Sequence, residues 1–214
     1  VRANDGWFRP VSTQVGPDGA LWLMDWYDKY PCYQNANADP QGVDREHGRI
    51  WRVVYTGAKP GAPVPSHPAN MNLAKLNGAE LVNTLAHRNV WQRRMAQRLL
   101  SELRDPQTKA PLLKLAQDGP TLEARLAALW TLHGSELLDD ATLDALASDK
   151  EPAIRTWVAR LSGERGDGSE PVLHRLVALA RDLDPSVRLG VATAARQFVS
   201  GSLTINTPVA ESLR

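Results

Sequence analysis

Asp25 ends the run Leu-Trp-Leu-Met-Asp at 21–25, a place where an acid is unexpected on composition alone. A carboxylate at the end of an apolar strand can bind substrate, cofactor or metal, or it can accept the backbone N–H groups of the loop that follows. Arg49 opens the next strand-like run, and its fork of donors could grip a carboxylate or a quinone oxygen bidentately. The plainer alternative pairs Arg49 with Asp44 or Glu46, or with loop carbonyls. These two residues are the candidates for cofactor or substrate binding, and no catalytic residue is assigned. Between them, Asn35, Asn37, Asp39 and Glu46 occupy positions 1, 3, 5 and 12 of an EF-hand-like spacing of oxygen ligands. Pro40 stands where that motif demands glycine and no helix flanks the loop, so these side chains are expected to close local turns. His47 and Arg45 cluster beside Arg49. Cys32 has no base near it in sequence and is expected to be structural or incidental. As the single cysteine, it also excludes an internal disulfide, a Cys-rich zinc site and a haem attachment motif in this chain.

The elements that must position Asp25 and Arg49 read as three strands. Val11–Val15 is the first, and Gly16-Pro17-Asp18-Gly19 is a turn in which proline presets φ at the second position. Ala20–Asp25 and Arg49–Tyr55 follow, rich in β-branched and aromatic residues. Residues 26–47 are too long and polar for a hairpin turn, and loops of that length are usually functional or flexible. All four tyrosines and four of the seven tryptophans precede residue 56, which marks a change in the kind of core. Residues 56–77 carry Pro60, Pro63, Pro65 and Pro68 and read as a semi-extended linker.

From residue 78 onward the chain repeats. "RNVWQRRMAQRLL", "PTLEARLAALWTL", "PAIRTWVARL" and "PSVRLGVATAA" align on Arg94, Arg125, Arg155 and Arg188, at spacings of 31, 30 and 33 residues. Each is preceded by a shorter apolar segment ("ELVNTLA", "PLLKLAQ", "TLDALAS", "VLHRLVALA"). Apolar steps of three and four residues make every segment an amphipathic helix. Paired helices at a fixed period of about 30 residues indicate an α-solenoid. The recurring arginines are expected to stack as a ladder, bonding turn carbonyls or acids of adjacent repeats. Trp91, Trp130 and Trp157 are expected in the core, and His87, His133 and His174 lack the spacing of a metal site on one helix. The fold class is therefore mainly α, a solenoid preceded by a small antiparallel sheet.

"DLDPSVRLGVATAA" closely resembles the HEAT-like consensus Asp-x-x-Pro-x-Val-Arg-x-x-Ala-x-x-Ala-Leu. "DKEPAIRTWVARL" resembles it less, and "DGPTLEARLAALWTL" keeps the arginine with altered turn spacing. "HRNVWQRRMAQRLL" lacks both Asp and Pro. "FRPVSTQVGPDGALWLMDWYD" followed by "DREHGRIWRVVY" resembles the last β-propeller blade of bacterial putative membrane-bound dehydrogenases, relatives of quinoprotein glucose and sorbosone dehydrogenases. The matching residues are Arg9-Pro10, Gly16–Gly19, Asp25-Trp26-Tyr27 and Gly48–Arg52.

That resemblance implies a terminal blade at 1–55, a linker at 56–77 and HEAT-like repeats at 78–214, with the other blades expected before residue 1. It implies a fragment of a sugar or alcohol dehydrogenase, inactive by itself, whose histidine base and cofactor contacts lie on other blades. Pyrroloquinoline quinone and Ca²⁺ are then expected in the full-length parent, and haem c in a separate downstream domain, with none in this chain. Localisation is expected to be periplasmic or exported, any signal lying upstream. The solenoid is expected to meet a protein partner or neighbouring domains. The alternative is a non-catalytic propeller–HEAT scaffold. A net charge of +1 gives no reason to propose nucleic acid or an anionic membrane, and no apolar run is of transmembrane length.

Overall fold

The computed structural model describes residues 3–30, 38–42, 44, 46–57, 61, 63, 71–166 and 168–200, the last two without their side chains. The described residues fall into two compact units, one within Val1–Asn72 together with Arg88–Gln92, the other within Leu73–His87 together with Arg93–Arg214.

The first unit is a three-stranded antiparallel sheet in the order β1 (Pro10–Val15), β2 (Leu21–Asp25), β3 (Arg49–Val53). Alternation along β2 separates two faces. Leu21, Leu23 and Asp25 share one with Arg49, Trp51 and Val53, while Trp22 and Met24 share the other with Arg52 and Ile50. The Gly16–Gly19 turn joins β1 to β2 because Gly19 adopts φ 83°, which a side chain would resist. Gly16 is required for a different reason. A Cβ there would lie 2.0 Å from the Trp22 indole nitrogen, so only glycine lets the ring cover the turn. Asp18 then ties the turn to β3, accepting from Arg52 Nε at 2.7 Å and from the Ala20 N–H at 3.1 Å. Within the same unit, Asn89 and Gln92 donate to the turn carbonyls of Gly16 and Pro17 at 2.9–3.0 Å.

The second unit is mainly helical and repeat-like. Its helices are α1 (Gly78–Thr84), α2 (Val90–Leu103), α3 (Lys109–Asp118), α4 (Leu122–Gly134), α5 (Asp140–Ala147), α6 (Pro152–Glu164), α7 (Glu170–Leu179) and α8 (Pro185–Ser200). The first turn of α2 belongs to the sheet unit by its contacts. Local chemistry sets the boundaries. Asn77 and Glu80 form a reciprocal capping box on α1, and Asp139 caps α5 through the Thr142 N–H. Pro152 and Pro185 occupy the first position of α6 and α8, where a missing N–H costs nothing. Pro120 stands five residues before its repeat's arginine, where Pro152 and Pro185 stand three before theirs, and lies outside its helix: Thr121 caps α4, accepting from the Ala124 N–H.

Leu100, Leu112, Leu129, Leu146, Val158 and Leu176 are fully buried in the core between helices. Leu73, expected in the linker, is buried in this unit too. Most of the other linker residues lie outside the described ones. Trp91, Trp130 and Trp157 are half-buried rather than core. Trp130 and Trp157 meet edge to face at 5.1 Å, and the Arg160 guanidinium lies 4.4 Å from the Trp157 ring centre.

Candidate functional site

Register places Asp25 directly opposite Arg49 across β2 and β3. Asp25 is 1% exposed. Its Oδ1 accepts the backbone N–H groups of Arg9 (2.7 Å) and Tyr27 (3.2 Å), and its Oδ2 accepts Arg49 Nε (2.7 Å) and Trp51 Nε1 (2.8 Å). Four donors from three segments thus converge on one carboxylate. Burial by itself would raise the Asp25 pKa; the Trp51, Arg9, Arg49 and Tyr27 donors outweigh it and hold the carboxyl below its ordinary value.

Arg49 continues the network. Its Nη1 donates to Asp5 Oδ2 at 2.7 Å, and Asp5 in turn accepts the Trp7 N–H at 2.9 Å. The guanidinium carbon lies 4.1 Å from the Tyr27 ring centre and 5.1 Å from that of Trp51. Trp7 packs against Tyr27 at 5.1 Å. The remaining nitrogen, Nη2, is closed off from solvent without a hydrogen-bond partner. Tyr27 holds φ 58°, a left-handed conformation costly for an aromatic residue. The N–H bond to Asp25 and the ring's position over Arg49 compensate for it.

Of the two sequence readings of Asp25, the geometry displays the backbone-accepting one, enlarged by Arg49 and Trp51. Arg49 pairs with Asp25 and Asp5, not with Asp44 or Glu46. Asp44 instead accepts the N–H groups of Glu46 and His47 and the His47 ring. A cofactor- or substrate-binding role for Asp25 and Arg49 does not fit these bonds. Both carboxylate oxygens are saturated, two guanidinium nitrogens are taken, and the third is walled in. The pair does not suit a quinone or Ca²⁺, and no chemical step is derived through them.

The EF-hand-like spacing fares no better. Asp39 takes the Lys29 ammonium at 2.7 Å and the Tyr30 hydroxyl at 2.5 Å, closing a local turn. Asn35, Asn37, Cys32, Tyr33 and Arg45 lie outside the described residues. Among the described residues no group of three or more His, Cys, Asp or Glu side chains is placed to hold a metal ion. No described helix is long and apolar enough to cross a membrane.

In the repeats, the arginine register organises the turns. Arg125 is buried, donates Nε to the Ala116 carbonyl at 2.8 Å, and pairs through Nη2 with Asp149. Arg155 grips Asp182 with Nε at 2.7 Å and Nη2 at 2.9 Å, while its Nη1 bonds the Asp149 carbonyl at 2.6 Å. The Arg155 bond holds the Asp182 carboxyl below its ordinary value. Arg188 repeats the near half of this pattern, its Nη1 donating to the Asp182 and Leu183 carbonyls at 2.7 and 3.0 Å.

Arg94 departs from the ladder and is exposed. Each ladder acid stands six residues before the next repeat's arginine, and the residue six before Arg125 is Gly119. A Cβ on Gly119 would lie 2.5 Å from the Leu115 carbonyl oxygen. The tight turn there excludes a side chain, and Arg94 loses its acid.

Sequence reasoning passed over Arg175, whose guanidinium is buried against Asp144 (2.8 Å), Asp140 (2.8 Å) and Ser162 (3.0 Å). An arginine inside the apolar run "VLHRLVALA" was the available signal. Asp5 was also missed; as the acid of Asp-Gly-Trp, it carried only a turn signal.

Residues 1–57 match a family model described as a domain of unknown function (DUF7133). The matched segment contains the whole sheet and the Asp25–Arg49 network. No curated protein matches the chain.

Proposed function

We propose that the sheet is one layer of a β-propeller, that the helical repeats are a HEAT-like protein-binding module, and that both belong to a quinoprotein-type sugar or alcohol dehydrogenase. The observation that carries the propeller reading is apolar surface on both faces of one small sheet. Met24 and Ile50, opposite each other, are 54% and 69% exposed, and on the other face Val15, Trp51 and Val53 are exposed as well. Isolated three-stranded sheets seldom tolerate this, whereas a blade stacked between two similar blades requires it.

The oxidoreductase part rests on the resemblance carried by Gly16–Gly19, Asp25-Trp26-Tyr27 and Gly48–Arg52. In this reading the present residues brace a blade, and the base and cofactor contacts come from blades elsewhere. The parent protein would be exported or periplasmic. Its reconstitution with pyrroloquinoline quinone and Ca²⁺ should give dye reduction with a sugar or alcohol. Loading without turnover on any such substrate would contradict the activity.

A second reading, a non-catalytic scaffold, is favoured by the closed Asp25–Arg49 network, which uses the polar side chains at the strand ends for bracing. A full-length parent that binds neither quinone nor Ca²⁺ would support it.

A further inference from the structure

The ladder in the helical unit is directional. The arginine of one repeat grips, with Nε and Nη2 together or Nη2 alone, the aspartate in the turn of the following repeat: Arg125 to Asp149, Arg155 to Asp182. Nη1 of Arg155 and of Arg188 serves the turn of its own repeat. Arg188 therefore has its near half satisfied. Its Nε and Nη2, the atoms that Arg155 commits to Asp182, have no acid among the described residues, and the side chain is exposed.

The surface beside it has the matching character. Val187, Gly190, Val191 and Ala194 of α8 are buried, with Gly190 close against Thr156 and Ala159 of α6. The opposite side presents Leu189, 68% exposed, with Ala192 and Thr193 one turn on. Leu183, at the turn before α8, is 97% exposed. Thr193 bonds the Leu189 carbonyl at 2.9 Å, so its hydroxyl needs nothing from a partner.

We propose that this face of α8 docks a helix pair of a helical-repeat partner whose inter-helix turn carries an aspartate, gripped by Arg188 as Arg155 grips Asp182. Apolar contact at Leu183 and Leu189 supplies burial, and the carboxylate sets the register. A second copy of this chain is the wrong occupant. In its first repeat the residue six before Arg94 is Arg88, so head-to-tail stacking would set one arginine against another. The proposal stands apart from the dehydrogenase reading, since it uses only the repeat geometry.

The test uses the full chain, with a copy of residues 168–200 inserted between Ser200 and Gly201 as the probe. The copy is one 33-residue period long, matching the Arg155–Arg188 spacing, and brings its own turn aspartate. Amide hydrogen exchange in α8 should slow by about tenfold or more, because a covered helix opens less often. Arg188→Met, or asparagine in place of the copied aspartate, should remove most of that protection, and the two together should remove no more than either one. A copy that stays unfolded, or that folds without slowing α8, overturns the proposal. So does protection that survives both substitutions.

Discussion

At the scale of single residues, the chain repeatedly uses one buried or half-buried carboxylate to hold several donors. Asp25 is the fullest case, tying the residue before β1, strand β3 and the start of the loop after β2 to one point. Asp25→Asn keeps the size but removes the charge opposite Arg49 and turns one acceptor into a donor facing donors. Breaking such a pair from one side should cost about 3–5 kcal/mol, read by urea denaturation monitored through tryptophan fluorescence; a loss below about 0.5 kcal/mol would mean the network carries little.

The pH dependence has a definite sign. The folded Asp25 carboxyl lies below its ordinary 3.8, so its contribution is complete above the unfolded value and disappears as pH falls through the folded one. Asp182 acts in the same sense. Asp25→Asn should flatten the acid limb of the stability curve without altering its shape near neutrality; an unchanged acid limb would contradict the assignment. That Asp25 is unusual was legible from its place after an apolar run. Its partners were not, because Arg9 and Trp51 reach it through register and loop return rather than sequence proximity.

At the scale of elements, the helix pairs were legible from their period, and the observed helices overlap the expected segments with ends shifted by a few residues. What sequence did not reveal was how closely neighbouring helices approach. Between α6 and α8 the spacing depends on glycine: a Cβ on Gly163 would stand 2.5 Å from both Cα and Cβ of Ala194. Helical propensity favours Gly163→Ala by roughly 1 kcal/mol, yet the clash is with backbone and should dominate at about 1–3 kcal/mol. A lowered urea midpoint by far-UV circular dichroism is therefore expected, and a raised midpoint would show that the helices can part freely. The tryptophans were misplaced for a related reason. Trp130 and Trp157 fall on helix positions that period alone assigns to the interior, but the two rings pack on each other at a partly open surface. In the sheet, Trp22 and Met24 make the second face of β2 as apolar in sequence as the first, and Met24 and Ile50 leave that face open. Met24→Lys with Ile50→Lys should lower binding of a hydrophobic dye and self-association; unaltered values would mean this face is not sticky.

At the scale of the whole molecule, the chain joins a sheet braced by one carboxylate to helix pairs wired by recurring arginines. The period of the arginines could be read directly from sequence, but their partners could not. The rule that each arginine seeks the acid six residues before the next one emerges only from the contacts, and it accounts for the exception at Arg94 through the crowded Gly119 turn. The function proposed for the sheet unit rests on resemblance, because the polar residues at its strand ends are engaged in bracing. The claim that ties the account together is that the ladder couples repeats, so that an arginine's worth depends on its acid. A double-mutant cycle on Arg155→Met and Asp182→Asn, followed by urea denaturation with Arg94→Met as control, measures this directly. The account predicts a coupling of about 1–3 kcal/mol for the pair and a change within about 0.5 kcal/mol for Arg94→Met. Additive losses at Arg155 and Asp182, or an Arg94→Met loss as large as that of Arg155→Met, would contradict it.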